Sequence, residues 1–596
     1  MNELKVNLKV NNISVSVNEG TTILEAAQRL NFNIPTLCYH PDLSIAGNCR
    51  VCVVEVKGAK QLVASCATPV AEGMEVFTNS EKVRTARKHV IELLLSEHNA
   101  DCTRCFKNGS CELQKLAAEY RIGEYTFMNI LKFKDHKVDK SSPSIIKDDN
   151  KCIRCQRCVR TCSELQGIGA LEVAFKGDHQ IISTFMGKPL SEVVCTNCGQ
   201  CVNSCPTAAL VEQSYIEDVW KAINDTEKYV VVQTAPAVRA ALGEDLGLNP
   251  GVRVTGKLVS ALKHIGFDSV LDTDFTADLT IMEESAELLH RLRRALVDGE
   301  KVALPMLTSC SPGWIKFQEH LYHDMLDNLS TCKSPQQMFG ALVKTYFARK
   351  KGINPDKIVS VSIMPCTAKK FECKRPEMRD SGYQDVDYVL TTRELAMMIR
   401  QSGVDFLKLT EEHYDSLMGA STGAAVIFGA TGGVMEAALR TAWEIITGRE
   451  VPFEKLNIMP VRGFGGIKAT SLIITDAKPE FGFLEGVELK VAVAHGLANA
   501  KKLMDAIRSG TVHYHFVEVM ACPGGCIGGG GQPIPTSSEI RSKRIEAIYA
   551  EDMGLAVRKS HENNEVKLLY KLFLGEPNSH KSHDLLHTHY KPRKGY

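Results

Sequence analysis

The sequence predicts a multidomain α+β fold, with small cysteine-bearing modules first and then an α/β body built on parallel sheets. Three observations carry this. The 596 residues exceed the roughly 100–200 of a single domain. Of 21 cysteines, 15 precede residue 206 and six follow. Beyond about residue 218, apolar runs alternate with helical patterns as strand–loop–helix units require. Lys228-Tyr-Val-Val-Val-Gln233 ends in Thr234-Ala-Pro-Ala-Val-Arg239, and Lys490-Val-Ala-Val-Ala494 leads through His495-Gly into a helix expected from Leu497 to Ile507. Charges balance at 71 basic against 70 acidic, so no nucleic-acid or other polyanion partner is indicated. No apolar run is long enough to span a membrane, and Met1-Asn-Glu-Leu-Lys5 is no signal peptide. The chain therefore reads as cytoplasmic and not membrane-inserted, where close thiol spacings favour metal over disulfides.

Residues 1–79 open with short alternating strands, Leu4–Leu8 and Ile13–Val17, then a turn and helix over Asn18–Leu30. Cys38, Cys49, Cys52 and Cys66 follow. One C-x2-C pair with two distant partners suits a two-iron two-sulfur cluster, each iron taking two thiolates. The spacing resembles the related domain of respiratory NADH dehydrogenase. In residues 80–125 an amphipathic helix, Ser80–Glu97, with Val83, Ala86, Val90 and Leu94 on one face, delivers His98 ahead of Cys102, Cys105 and Cys111. Three close cysteines leave a four-iron cube one ligand short, and an imidazole can complete it.

After a lysine-rich connection at about 130–150, residues 140–215 carry Cys152, Cys155, Cys158 and Cys162, then Cys195, Cys198, Cys201 and Cys205 before Pro206. Both runs have C-x2-C-x2-C-x3-C spacing, in which the fourth cysteine serves the other cluster. Cys152, Cys155, Cys158 and Cys205 should hold one four-iron cube; Cys195, Cys198, Cys201 and Cys162 should hold the second.

Within the body, residues 218–555, three cysteine-bearing loops each follow an apolar run. They are Thr308-Ser-Cys-Ser-Pro-Gly-Trp314 after Val302–Leu307, Met364-Pro-Cys-Thr-Ala-Lys-Lys-Phe-Glu372 after Ile358–Ile363, and Glu518-Val-Met-Ala-Cys-Pro-Gly-Gly-Cys526 after Tyr514–Val519. Ligands sit beyond the carboxyl ends of strands in open α/β sheets, so Cys310 or its neighbour, Cys366, Cys522 and Cys526 should converge. Glycines around the last two admit close approach of a bulky inorganic group. The segments Phe428–Gly433 and Gly463–Gly466 lack the G-x-G-x-x-G context of a nucleotide loop and read as tight turns near the same pocket. No NAD or flavin site is visible. Residues 556–596 form a helix-like run, Asn564–Phe573, and a tail with His580, His583, His587 and His589, which could bind metal but reads as a docked or solvated end.

The three loops resemble the signature loops of the iron-only (FeFe) hydrogenases, and the cysteine-rich first third resembles the electron relay of that family's larger members. The resemblance implies a hydrogenase catalytic domain and an active cluster (the H-cluster) of a four-iron cube joined to a two-iron unit. That unit carries carbonyl, cyanide and a dithiolate amine. It implies Cys526 as the bridging thiolate and Cys366 and Cys522 as further cube ligands. His98 would ligate the third accessory four-iron cluster. Lys369 matches a residue that hydrogen-bonds a cyanide. Ala235, Pro236 and Ala237 match contacts to the other cyanide, and Gln336, Met364 and Met520 match residues packed on the two-iron unit. Cys310, Glu284, Ser330, Glu287 and Arg291 match a proton relay, and Glu284 and Glu287 are spaced to share one helix face.

One departure stands out. The family's first loop has two adjacent cysteines, whereas this chain has Cys310 then Ser311. Ser311, a turned Cys310, or Cys332 in Ser330–Gln336 could complete the cube; Cys373 reads as a buried structural thiol. The resemblance implies reversible interconversion of H2 with two protons and two electrons. Its implied partners are ferredoxin, a flavin- and NAD(P)-binding subunit, or both, and maturation proteins must supply the two-iron unit. A monomeric ferredoxin hydrogenase and a hydrogen sensor or other non-catalytic cluster protein are the alternatives.

Overall fold

The computed structural model describes residues 4–123 and 135–594. Met1–Glu3, residues 124 and 125 of the second expected module and the first part of the 130–150 connection lie outside the described residues.

The first module is a five-stranded sheet in the order Ile13–Asn18, Lys5–Val10, Glu75–Phe77, Val53–Val56, Val63–Ala64. Its helix, Ile23–Arg29, starts at a capping box in which Thr22 and Glu25 satisfy each other's main-chain N–H. Ile23 and Leu24 then enter a core with Leu8, Val10 and Val54.

The next helix, Glu81–Ser96, is capped by Ser80. Its buried stripe is Val83, Arg87, Ile91 and Leu95, rotated from the expected Val83, Ala86, Val90 and Leu94. The cause is Arg87, which reaches the Val53 carbonyl at 2.8 Å and so ties the helix to the preceding sheet.

The third module pairs Ile145–Lys147 antiparallel with Leu210–Glu212. Between them the short helices Arg157–Arg160 and Gln200–Ser204 carry the two cysteine runs.

The body holds two four-stranded sheets. The first is all parallel, ordered Ser269–Asp272, Tyr229–Thr234, Ile358–Met364, Tyr388–Thr391. In the second, Met306–Leu307, Phe516–Met520 and Glu488–His495 are parallel, and Ile467–Ile473 closes the edge antiparallel. The three loop-bearing strands therefore come from two sheets, and the loops meet between the sheets' carboxyl ends. The expected strand at 302–307 shrinks to Met306–Leu307, since Pro305 offers no N–H to a ladder. The 23-residue helix Asp274–Leu296 runs from the pocket outward. The final segment docks on it: Val566, Leu569, Tyr570, Leu585 and Leu586 share a core with Phe275 and Leu279.

Arg393 clamps the third module to the body. It pairs with Glu212 at 2.8 and 3.0 Å and donates to the carbonyls of Gly530 (2.7 Å) and Gln532 (2.6 Å). That guanidinium outweighs burial and holds the Glu212 carboxyl at about 2. Breaking a buried pair leaves a charge uncompensated, at a cost of about 3–5 kcal/mol. Arg393→Gln should accordingly lower the thermal midpoint of the chain. Because the Glu212 pKa is depressed, the pair's contribution is present above the ordinary carboxylate value and fades as pH falls from about 4.5 towards 2. In melts from pH 7 to pH 3 the gap between the two midpoints should narrow below about pH 4.5 without closing.

Candidate active site

Thr308–Trp314, Met364–Glu372 and the Cys522–Gly529 loop close around a pocket with about 730 Å³ of empty space. Cys310, Ser311, Cys366, Lys369, Cys522 and Cys526 line it, with Ala235, Pro236, Gln336, Met364 and Met520. Ala237, expected beside them, is fully buried behind the wall, its carbonyl accepting from Gln532 Nε2 at 3.0 Å. Thr273, Ala277 and Phe428 also face the pocket and were not singled out. Only Phe428 had a signal in the sequence, as the first residue of the Phe428–Gly433 turn.

Glycines make the close packing possible. A Cβ on Gly525 would meet Thr431 N at 2.6 Å, and its φ is +92°, a region open to glycine. On Gly529 a Cβ would run into the Pro365 carbonyl, and on Gly530 into the Cys198 carbonyl.

Burial raises the thiol pKa of Cys366 and Cys522 and pushes Cys526 up to about 12. A metal reverses that preference by taking the thiolate, so the donor set fits an iron–sulfur group better than free thiols. Gln336 Oε1 is buried without a partner, a polar group aimed at something other than protein. Lys369 Nζ bridges the Cys310 carbonyl (3.1 Å) and Glu372 (2.9 Å), which fixes the cation against the wall. Ser311 Oγ accepts from the Ala521 amide at 3.2 Å, tying the first loop to the third. Cys332 does not line the pocket. Its thiol faces Glu287 Oε2 and His587 Nδ1, each at 3.9 Å, because the Cys332 carbonyl is the group turned to the loop and accepts from Ser309 at 2.6 Å. Cys373 is buried, its thiol on the Lys370 carbonyl at 3.3 Å.

From Cys310 a file of polar groups leads outward. Burial and then Glu284 raise the Cys310 thiol pKa well above its ordinary value. Both Glu284 oxygens lack a hydrogen bond of normal geometry, with the Ser309 amide and the Ser330 hydroxyl facing them. Burial, with Glu287 second, pushes this carboxyl up to about 8. Ser330 donates to Glu287 Oε2 at 2.8 Å, and Arg291 holds Oε1 at 2.6 Å. Glu287 and Arg291 then line a solvent-open vestibule.

The N-terminal cysteines group as follows. One small pocket is lined by Cys152, Cys155, Cys158 and Cys205, another by Cys162, Cys195, Cys198 and Cys201. Cys38 faces Cys49 and Cys66, and the Cys52 and Cys66 thiols are 3.3 Å apart. His98 Nδ1 is buried with no partner, as a ligand nitrogen would be. Cys102 and Cys105 share one turn, and Cys111 caps the helix Glu112–Glu119. The Cys198 loop touches the central pocket: Thr367 donates to the Asn197 carbonyl at 2.8 Å, and Gln200 Nε2 to the Gly528 carbonyl at 2.9 Å.

Buried thiols gathered at strand ends, fed by a row of cysteine-lined modules, define an iron–sulfur oxidoreductase. Residues 228–530 match the family described as iron only hydrogenase large subunit, C-terminal domain, and 538–593 match iron hydrogenase small subunit. The chain belongs to the iron-only hydrogenase family and is an enzyme of that class. Further matches are a 2Fe-2S iron-sulfur cluster binding domain (3–81), an NADH-ubiquinone oxidoreductase-G iron-sulfur binding region (87–125) and the ferredoxin-like domain of NADH-quinone oxidoreductase subunit 3 (142–211). Among its relatives, NADP-reducing hydrogenase subunit HndD of Solidesulfovibrio fructosivorans is 52% identical over 98% of both chains. Iron hydrogenase 1 of Clostridium pasteurianum is 40% identical over 98% of this chain and 99% of its own. The solved apo [FeFe]-hydrogenase HydA1 from Chlamydomonas reinhardtii superposes with a TM-score of 0.58 and 45% identity, covering 64% of this chain and all of that one. Among the described residues no helix is long and apolar enough to cross a membrane.

Gly530→Ala should cost about 1–3 kcal/mol, as overpacking does, because its Cβ meets backbone on the Cys198 loop rather than a yielding side chain. Thermal melts should show the loss, whereas Gly482→Ala, with nothing within 4 Å, should leave the midpoint unchanged.

Proposed function

We propose that this hydrogenase interconverts H2 with two protons and two electrons at the Cys310–Cys526 pocket. Cys366, Cys522 and Cys526 would hold the active cluster, which when bound supplies the redox-active iron at which hydrogen reacts. The observation that carries the reading is the unpaired, buried Glu284 set between the pocket thiol Cys310 and the vestibule. Heterolytic chemistry needs an acid–base group beside the reacting atoms and a route to solvent. Cys310 exchanges a proton with the pocket, Glu284 with Cys310, and Ser330 passes it to Glu287, which Arg291 orients. Lys369, Ala235, Pro236, Gln336, Met364 and Met520 position and dry the pocket.

Electrons would travel through one two-iron cluster (Cys38, Cys49, Cys52, Cys66) and three accessory four-iron clusters. Their ligand sets are His98 with Cys102, Cys105 and Cys111; Cys152, Cys155, Cys158 and Cys205; and Cys162, Cys195, Cys198 and Cys201. The last set abuts the pocket and is the entry point. Their destination is ferredoxin, an NAD(P)-linked flavoprotein subunit, or both, in the cytoplasm. The printed name of the relative at 52% identity, a subunit of an NADP-reducing hydrogenase, supports the second. A monomeric ferredoxin hydrogenase is the rival, and co-purification of a flavoprotein separates the two.

The test is hydrogen uptake with a viologen dye by anaerobically purified, fully matured protein. Strong uptake supports the enzyme reading; none, with iron content complete, overturns it. Glu284→Gln should lower turnover about 10²–10⁴-fold with iron content unchanged. Glu284 is protonated below its raised pKa of about 8, so hydrogen evolution should fall as pH rises through that value. For the first loop, Cys310→Ala should abolish turnover without loss of iron, and Ser311→Cys should keep full iron content and lower the cube's potential. Iron lost in Cys310→Ala would instead make Cys310 the fourth ligand.

A further inference from the structure

The two crossed cysteine sets of the third module share one spacing but have unlike surroundings, and the difference falls on the set beside the pocket. Gln166 lines the small pocket of Cys162, Cys195, Cys198 and Cys201. It is completely buried, and neither its amide nitrogen nor its oxygen has a hydrogen-bond partner, although buried polar groups ordinarily find one. The Thr196 hydroxyl, on the same wall, lacks a bond of normal geometry and faces the Cys198 thiol. Cluster sulfurs accept hydrogen bonds and have none to give, so the amide N–H is the end of Gln166 that serves them.

A buried cation adds to this. Lys316 stands on the helix Pro312–Leu321, which leaves the first pocket loop. It donates to Asn197 Oδ1 at 2.6 Å and lies 4.3 Å from the centre of the Phe371 ring. Both partners are neutral, and Glu319, one turn along, is taken by Arg375 and Arg593. Burial lowers the Lys316 pKa to about 8, and Cys195 is the group that most favours its charged form. The Asn197 carbonyl accepts from Thr367, next to Cys366, so the lysine is joined to the cysteine loop and to the pocket wall at once.

Among the described residues, no side chain lining the other small pocket has a buried polar atom without a partner. Lys147 there is paired with Asp149, and Thr207 donates to the Lys151 carbonyl at 2.7 Å. Arg157, whose charge reaches Cys155 and Cys205, is held by Glu112 at 2.7 and 3.0 Å. Lys107 donates to the Cys205 carbonyl from a half-exposed position, where solvent screens it.

Hydrogen bonds to sulfur and uncompensated positive charge both favour the electron-rich state of a cluster, the more so in a dry interior. On the ligand sets proposed above, we infer that Gln166 and Lys316 set the potential of the pocket-side four-iron cube above that of its neighbour. Hydrogen gives or takes two electrons, whereas each cube passes one, with no bond made or broken. A raised potential keeps one electron waiting beside the pocket while the other moves.

The experiment is a dye-mediated redox titration of fully matured holoenzyme at pH 7, followed by low-temperature electron paramagnetic resonance. Cys198→Ser and Cys155→Ser should each alter one signal, which assigns the two cubes, and the Cys198-dependent signal should titrate at the higher potential. Gln166→Leu and Lys316→Gln should each lower the reduction equilibrium constant of that cube about tenfold, a shift of about 59 mV for one electron. Lys316→Arg should restore it, with iron content and the Cys155-dependent midpoint unchanged throughout. Gln166→Met gives the same reading where Gln166→Leu does not fold. An unmoved midpoint in either the Gln166 or the Lys316 variant, at full iron content, overturns that residue's part and leaves the ligand sets standing. If neither cysteine variant alters a signal, the ligand sets fall and the inference with them.

Discussion

One helix carries five buried carboxyls, and the architecture around it follows from how each is satisfied. On Asp274–Leu296, Asp274 leans on the Arg239 guanidinium, which Asp272 shares. Asp278 accepts from Thr422 and Asn563, Glu283 from Tyr570 and the tail, and Glu287 from Ser330, Thr331 and Arg291. A buried carboxylate without partners costs several kcal/mol or takes a proton instead. Each partnered acid therefore recruits a different segment: the turn after the strand Tyr229–Thr234, the Thr422 loop, the C-terminal tail and the Ser330 turn. Glu284 alone of the five has neither an ion pair nor a hydrogen bond of normal geometry, and it lies beside the pocket thiol Cys310. The same desolvation that would count against the fold there makes it a neutral acid near pH 7, which proton exchange with a thiol requires.

The tail's attachment to this helix gives the C-terminal segment a structural meaning. His587 is almost completely buried, and its ring stacks on His583 with centroids 4.6 Å apart. Thr588 N donates to the Thr331 carbonyl at 2.7 Å, and Lys333 N to the Leu586 carbonyl at 2.7 Å. The tail thus covers the outer half of the polar file. Removing it would expose Glu283 and Cys332 to water and lower the cost of ionising both.

Much of this was legible in the sequence, for identifiable reasons. Metal-ligand spacing is local, so the ferredoxin-type runs and the loops at Cys366 and Cys522 could be read directly. The thiols of each crossed set indeed line one small pocket. The strands Ile358–Met364, Phe516–Met520 and Glu488–His495 matched their apolar runs within two residues, because buried parallel strands are continuously hydrophobic. What could not be read was long-range. Nothing local says that the three loops rise from two sheets. Nothing local says that Thr273 and Ala277 face the pocket, since small residues on a helix announce no partner. Cys332 looked like a pocket ligand by its neighbours Ser330 and Gln336, yet residues two apart in an extended segment share a side, and the Ser330 hydroxyl and Cys332 thiol both turn to Glu287 Oε2, off the pocket. Its carbonyl went inward and its thiol went to His587, a residue 255 positions away.

The serine in the first loop bears on how the pocket is held. A thiolate at position 311 would point into the pocket with no hydrogen to give and a weak acceptor for the Ala521 amide. The hydroxyl there meets that amide at 3.2 Å, one residue before Cys522. Ser311 thereby joins the helix Pro312–Leu321 to the end of the strand Phe516–Met520, and the joint lies next to the thiols themselves. Gly313 packs on the same spot, where an added Cβ would meet the Ala521 side chain at 3.1 Å and lie 3.7 Å from the Cys198 side chain. The first loop is thus wedged between the entry module and the third loop, and its position is set by backbone contact rather than by a fourth sulfur. Under the ligand assignment proposed above, a cluster there would take thiolate charge from Cys366, Cys522 and Cys526 and its shape from this wedge, which would let a weaker donor than sulfur occupy the remaining corner.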